Sequence, residues 1–228
     1  GTLSISPKYD KSAPFFSGFH LIDANTKQVF KSALFNVGSE IIRYPHGVGI
    51  SPDGKWAYVG WGQKDAAGKD ESAVAIVNMR TLKIDKLLKQ ESYYQGKMRR
   101  QYIHHVQSFK DSKGQDRVIL MFGFGSDGGP HVLLDPKDDN KVVRAITYDD
   151  VKPMGHPFIT PSPDGKFLYI SMDSPEITRD EYPAAGIAKL NLETGAVTVI
   201  PNVGHHPIGI THTADGKFTY VSDAEASQ

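Results

Sequence analysis

The stretch Ser51-Pro-Asp-Gly-Lys-Trp-Ala-Tyr-Val59 returns as Ser162-Pro-Asp-Gly-Lys-Phe-Leu-Tyr-Ile170 and again as Thr213-Ala-Asp-Gly-Lys-Phe-Thr-Tyr-Val221. A worn copy, KDSKGQDRVILM, runs from Lys110 to Met121. The four turn glycines, Gly54, Gly114, Gly165 and Gly216, are spaced by 60, 51 and 51 residues. Each copy joins a tight-turn tetrapeptide to a run of aromatic and β-branched residues. One supersecondary unit is therefore repeated along the chain.

Between the copies lies a second turn with its own rhythm: Asp23-Ala-Asn-Thr, Asn78-Met-Arg-Thr, Asp135-Pro-Lys-Asp and Asn191-Leu-Glu-Thr, spaced by 55, 57 and 56 residues. An Asp or Asn that opens such a tetrapeptide can accept a hydrogen bond from the backbone two residues on, which is hairpin chemistry. The flanking runs, among them Phe167–Ser171, Ala73–Val77 and Ala196–Ile200, are short. No window sustains an apolar pattern of helical period. Each unit reads as four antiparallel strands, and the chain as an all-β β-propeller: a small twisted sheet cannot bury both faces until neighbours stack around an axis.

The string Pro45-His-Gly-Val-Gly-Ile-Ser-Pro-Asp-Gly-Lys-Trp-Ala-Tyr-Val59 resembles the YVTN-type propeller repeat. The match recurs at His156 to Ile170 and His206 to Val221, more loosely at His104 to Met121, and covers nearly the whole chain. The resemblance implies four-stranded blades. It leaves function open, since lactonases, surface proteins and redox enzymes all use such repeats.

The blade units read as 46–100, 101–152, 153–203, and a split unit made of 204–228 with 1–45. The C-terminal piece supplies a first and second strand. The N-terminal piece supplies a third and fourth, at Gly18–Asp23 and Lys27–Phe30. Either the two halves close a small ring of four blades, or both are edges of a larger propeller. The second reading is favoured, because an open edge exposes unpaired strand.

Lysine and arginine total 26, matched by 26 aspartates and glutamates, so there is no global pull toward nucleic acid. Cysteine is absent, which excludes disulfides, Cys-x-x-Cys-His haem attachment, thiolate zinc and iron–sulfur clusters. No apolar run approaches a membrane span, and Gly1-Thr-Leu-Ser-Ile does not read as a signal peptide. The chain as it stands fits a mature or trimmed product of extracytoplasmic, periplasmic type.

Six of the nine histidines precede the Asp-Gly-type turns at comparable offsets: His46, His104, His105, His156, His205 and His206. In a propeller the first strand of each blade is innermost, so these positions would ring the channel mouth. One explanation is structural, with each ring bonding the neighbouring blade. Another is a metal or cofactor site, favoured by the doublets His104-His105 and His205-His206, and a third is substrate binding without metal.

Neutral imidazole without thiolate suits copper, zinc or nickel. A many-histidine propeller mouth resembles the copper sites of nitrous-oxide-reductase-like and thiocyanate-dehydrogenase-like enzymes. That resemblance implies copper ligands at His46, His104, His105, His156 and His206, although this chain has fewer blades than those enzymes. His20, His131 and His212 read as structural or surface residues.

Long polar loops, 60–72, 123–130 and 173–183, are expected on the same rim, where a rigid scaffold places recognition. Asp127, Asp173, Glu176 and Asp180 are candidates to orient histidines or to line the site. Lys97, Arg99 and Arg100 form a local cationic patch that would concentrate a small anion, with Asp173 nearby. A solvated loop or an acidic protein partner explains the patch equally well.

No Gly-x-Ser-x-Gly, phosphate-loop or His-Glu-x-x-His motif is present. Three functions remain. The first is a redox propeller with histidine-bound copper and a small anionic substrate. The second is a non-catalytic scaffold for another subunit or for the remaining blades. The third is a lactonase-like hydrolase, which would want carboxylate-held metal.

Overall fold

A computed structural model describes residues 16–36, 47–64, 70–89, 103–122, 131–147, 150–151, 158–172, 186–204 and 207–223. All sixteen elements among them are strands. β1 (Phe16–Ile22) and β2 (Val29–Asn36) form a hairpin. The first full blade is β3 (Val48–Ile50), β4 (Trp56–Lys64), β5 (Asp70–Asn78) and β6 (Lys83–Lys89). The second is β7 (Ile103–Lys110), β8 (Asp116–Phe122), β9 (His131–Asp135) and β10 (Lys141–Ile146). The third is β11 (Ile159–Pro161), β12 (Phe167–Ser171), β13 (Ile187–Asn191) and β14 (Val197–Ile200). A last hairpin joins β15 (Pro207–His212) to β16 (Thr219–Asp223).

Every pairing is antiparallel and every sheet runs in sequence order. The architecture is a β-propeller with four blades' worth of strands. The inner half β15–β16 and the outer half β1–β2 stand as two separate two-stranded sheets.

The repeated turns are built alike. Ser51 Oγ donates to Asp53 Oδ1 at 2.6 Å, Asp53 Oδ1 accepts the Lys55 N–H at 3.1 Å, and Ser51 Oγ accepts the Trp56 N–H at 3.0 Å. The same three bonds recur at Ser162, Asp164 and Lys166, and at Thr213, Asp215 and Lys217. In the worn copy Asp111 alone takes both parts, accepting from the Lys113 and Gln115 amides at 3.0 and 2.9 Å. The second turn type follows its expected chemistry: Asp23, Asn78, Asp135 and Asn191 each accept from the amide two residues on.

Blades pack face to face, so strands that look apolar throughout serve two cores. In β8 all seven residues are buried. Val118, Leu120 and Phe122 point into the cluster shared with Tyr58, Val74 and Ile76 of the first blade. Ile119 and Met121 point the other way, against Leu168, Ile170 and Leu190 of the third. A third cluster seats Phe19 and Ala33 of the N-terminal hairpin on Ala57, Val59, Ala75 and Val77. Full burial of each large apolar side chain contributes about 1.5–3 kcal/mol.

Two expected boundaries change. The loop placed at 60–72 is mostly strand: β4 and β5 stay paired from Trp56 opposite Asn78 to Lys64 opposite Asp70. Gly60 and Gly62 stay in the ladder, opposite Val74 and Ser72, because a ladder needs only backbone groups. The fourth strand of the N-terminal piece is Val29–Asn36 rather than 27–30, because Lys27 takes a left-handed conformation (φ 57°) that closes the turn.

Candidate functional site

Among the proposed ligands, His104 and His105 lie within the described residues, side by side on β7. Consecutive strand residues normally point to opposite faces. Here the register slips between Ile103 and His105, and such a bulge re-aims side chains. The two rings meet edge to face, with centroids 4.3 Å apart and planes at 72°. His104 is buried and His105 half-buried. Phe158 closes one side, its ring 4.7 Å from His105 and 6.1 Å from His104.

The lead-in to the first blade presses on the same spot. A Cβ at Gly47 would sit 2.8 Å from His105 Cα and 2.9 Å from the His104 carbonyl oxygen, and one at Gly49 would meet the Val106 carbonyl at 3.0 Å. Only glycine lets the chain at 47–49 approach β7 so closely, which explains the Gly-x-Gly spelling there. Residues beginning or preceding three successive blades, Gly47, His104-His105 and Phe158, therefore converge.

His46, His156 and His206 lie outside the described residues, as do Lys97, Arg99, Arg100 and Asp173, and likewise Asp127, Glu176, Asp180 and His205. Among the described residues no three His, Asp or Glu side chains are grouped closely enough to hold a metal ion. No helix among them is long and apolar enough to cross a membrane. The structure thus brings together two imidazoles of the proposed set.

The other histidines have distinct settings. His20 Nδ1 lies 2.7 Å from Ser32 Oγ on an exposed hairpin face. His131, at the head of β9, is fully buried, and its Nδ1 accepts the Phe122 N–H at 3.3 Å. Burial pushes its pKa down from 6.5 to about 4. His131 is thus neutral when folded but readily protonated when unfolded. Stability is fully present above pH 6.5 and falls as pH drops toward 4, by roughly 3 kcal/mol. His212, lowered by its own burial, acts in the same direction.

We expect urea midpoints to decline across that window and His131→Asn, whose amide oxygen can still accept the Phe122 N–H, to flatten most of the decline. An unchanged slope in the variant refutes the assignment.

Sequence reading missed a cleft of roughly 420 Å³ between the third blade and β15–β16, lined by Pro163, Phe167, Tyr169, Lys189 and His212. Lys189 Nζ stands 4.0 Å above the Phe167 ring, and His212 packs on Tyr169 with centroids 4.6 Å apart. The available signal was Lys189 itself, which occupies the place where β5 carries Ile76.

No family model and no curated protein sequence matches the chain. Solved β-propeller structures do. Kuenenia stuttgartiensis hydrazine synthase is 19% identical with a TM-score of 0.59, over 90% of this chain and 49% of that one. A putative 6-phosphogluconolactonase from Bacteroides uniformis is 20% identical with a TM-score of 0.55, over 92% and 58%. TolB from Acinetobacter baumannii is 12% identical with a TM-score of 0.53, over 93% and 44%. The chain spans about half the length of these three chains. At these identities the likeness is one of architecture, and that architecture is the β-propeller.

Proposed function

We propose that this chain is the propeller of an extracytoplasmic redox protein or complex, with channel-mouth histidines that bind copper. The observation that carries the reading is the His104–His105 pair, two imidazoles brought within 4.3 Å by a bulge on an innermost strand. A thiolate-free, imidazole-rich donor set fits copper better than it fits calcium or magnesium, which take oxygen ligands. His104 and His105 would hold the metal together with His46, His156 and His206. Copper would supply one-electron chemistry there. Lys97, Arg99 and Arg100 would draw in a small anion, and Asp173 would line its path.

The likeness to hydrazine synthase in architecture is compatible with redox work, as the lactonase-like match is with hydrolysis. The imidazole pair favours the first. Equilibrium dialysis against copper, with metal content measured on the same sample, tests it. We expect at least one retained copper per chain and a loss of ten-fold or more in affinity for His104→Ala/His105→Ala. No copper retained after loading, or equal retention by the double variant, overturns the reading.

A non-catalytic scaffold is the second reading, favoured by the apolar faces left open on β2 and β16.

A further inference from the structure

We propose that His131 is a positioning residue for the His104–His105 pair: its imidazole takes the place of a backbone carbonyl at the end of β8 and so fixes the bulge of β7 that aims the two rings. That role rests on the reading of the pair as a metal site.

Corresponding positions in the three full blades show the exchange. Val118 opposite Leu134 in the second blade matches Leu168 opposite Leu190 in the third and Ala57 opposite Val77 in the first. His131 therefore falls where the third blade has Ile187 and the first has Val74, and Phe122 falls where the third has Met172. Val74 and Ile187 are buried, as His131 is. In the third blade the Met172 N–H donates to the backbone carbonyl of Gly186 at 3.0 Å. In the second the Phe122 N–H donates to His131 Nδ1 at 3.3 Å. A side chain thus replaces the backbone as acceptor.

Stability alone does not account for the replacement. With Nδ1 accepting, Nε2 carries the proton, and that buried N–H has no hydrogen-bond partner among the described residues. Leaving a buried donor unsatisfied costs more than one ordinary hydrogen bond contributes. An aliphatic residue, as in the other two blades, avoids that cost.

What the imidazole supplies is position. Phe122 stands opposite Ile103, and the register slips between Ile103 and His105, so Phe122 borders the bulge. The first strands of the other two full blades pair without a slip, Val48–Ile50 on β4 and Ile159–Pro161 on β12. The blade whose first strand is bulged is the one that uses an imidazole as acceptor. Fixing the Phe122 backbone fixes one border of the bulge, and the bulge decides where His104 and His105 point.

Two variants separate the acceptor from the bulk of the ring. His131→Ile copies the third blade and removes the acceptor, whereas His131→Asn keeps an oxygen near the place of Nδ1. In the metal-free protein with labelled histidine, the ring protons of His104 and His105 carry ring-current shifts from their edge-to-face contact and from Phe158. We expect His131→Ile to lose much of those shifts and His131→Asn to keep most of them. Gly54→Ala strains a first-blade turn where a Cβ would meet nothing within 4 Å, and it should leave the rings unmoved. Copper dialysis should follow the same order, with affinity down several-fold for His131→Ile and close to the parent for His131→Asn.

Ring signals unchanged in His131→Ile, moved alike in His131→Asn, or moved as far in Gly54→Ala overturn the proposal. These signals are read without metal. A parent chain that retains no copper therefore sinks the copper reading, while the rings still decide whether His131 positions the pair.

Discussion

Gly165→Ala is expected to lower the melting temperature by about 10 °C, whereas Gly54→Ala, at the same place in the same turn, should cost only a few degrees. Both glycines are left-handed, with φ of 67° and 73°. For any L-residue that conformation costs roughly 1–2 kcal/mol. Their surroundings differ. A Cβ at Gly54 would meet nothing within 4 Å, but one at Gly165 would strike the Lys110 carbonyl oxygen and lie 2.6 Å from the Asp111 carbonyl carbon.

Those atoms are backbone, tied down because Asp111 anchors its own turn and because the Ser112 N–H donates to the Gly165 carbonyl at 3.2 Å. They cannot swing aside as a side chain would. Overpacking of this kind adds about 1–3 kcal/mol. Thermal unfolding of the two variants side by side isolates the difference. Equal losses would mean that the turns of the second and third blades do not bear on each other, and the packing of blade on blade described above would be wrong at that joint.

The turns were legible in the sequence because their chemistry is local. Asp or Asn accepting from its own backbone, and glycine taking positive φ, are properties of a few consecutive residues. Ser162-Pro-Asp-Gly and Thr213-Ala-Asp-Gly therefore spell the same object. Strand extent was less legible. Whether Gly60 and Gly62 end β4 depends on β5 remaining opposite them, a non-local fact. The double-sided burial of β8 is legible only once the blades are known to stack, since an unbroken apolar run reads equally as any buried segment.

The site divides along the same line. Spacing put His104 and His105 at the head of an inner strand, where the structure has them. Their edge-to-face approach depends on a register slip against β8, which no inspection of β7 alone reveals. Lys189 shows the opposite case. It is a charged residue in a repeat position that is apolar elsewhere, and comparison of the units with one another exposes it. The complementary half-blades were legible as halves. What the structure adds is that Ile22 and Val29 of one hairpin, and Phe218 and Tyr220 of the other, are exposed.

Arg117→Ala is the second large effect, expected to cost about 3 kcal/mol, near the lower bound for removing one partner from a buried ion pair. In the sequence Gln115-Asp-Arg belongs to the worn copy of the repeat, Lys110 to Met121. In the fold Arg117 is buried. Its guanidinium lies 3.0 Å from Asp111 Oδ2 and 2.9 Å from Asp135 Oδ2, and it also donates to the Asp116 carbonyl and the Gln115 side chain. It locks the inner turn of the second blade to the outer turn.

Beside it the Asp116 carboxylate, also buried, pairs with Lys110 and Lys137, and the hydrogen bond from Lys110 holds its pKa below the usual range. Alanine at 117 leaves Asp111 and Asp135 facing each other with no cation between them. Lysine restores the charge as a single point but not the fork that spans two carboxylates, so Arg117→Lys should recover only about half of the loss.

An exposed pair supplies the contrast: Lys55 is 3.4 Å from Asp53 at the surface, and Lys55→Ala should change stability by less than about 0.5 kcal/mol. Chemical denaturation of the three variants decides the matter. If Arg117→Ala were no worse than Lys55→Ala, the two turns of the second blade would be held by their backbones alone, and the worn copy of the repeat would owe nothing to the charged residues that distinguish it.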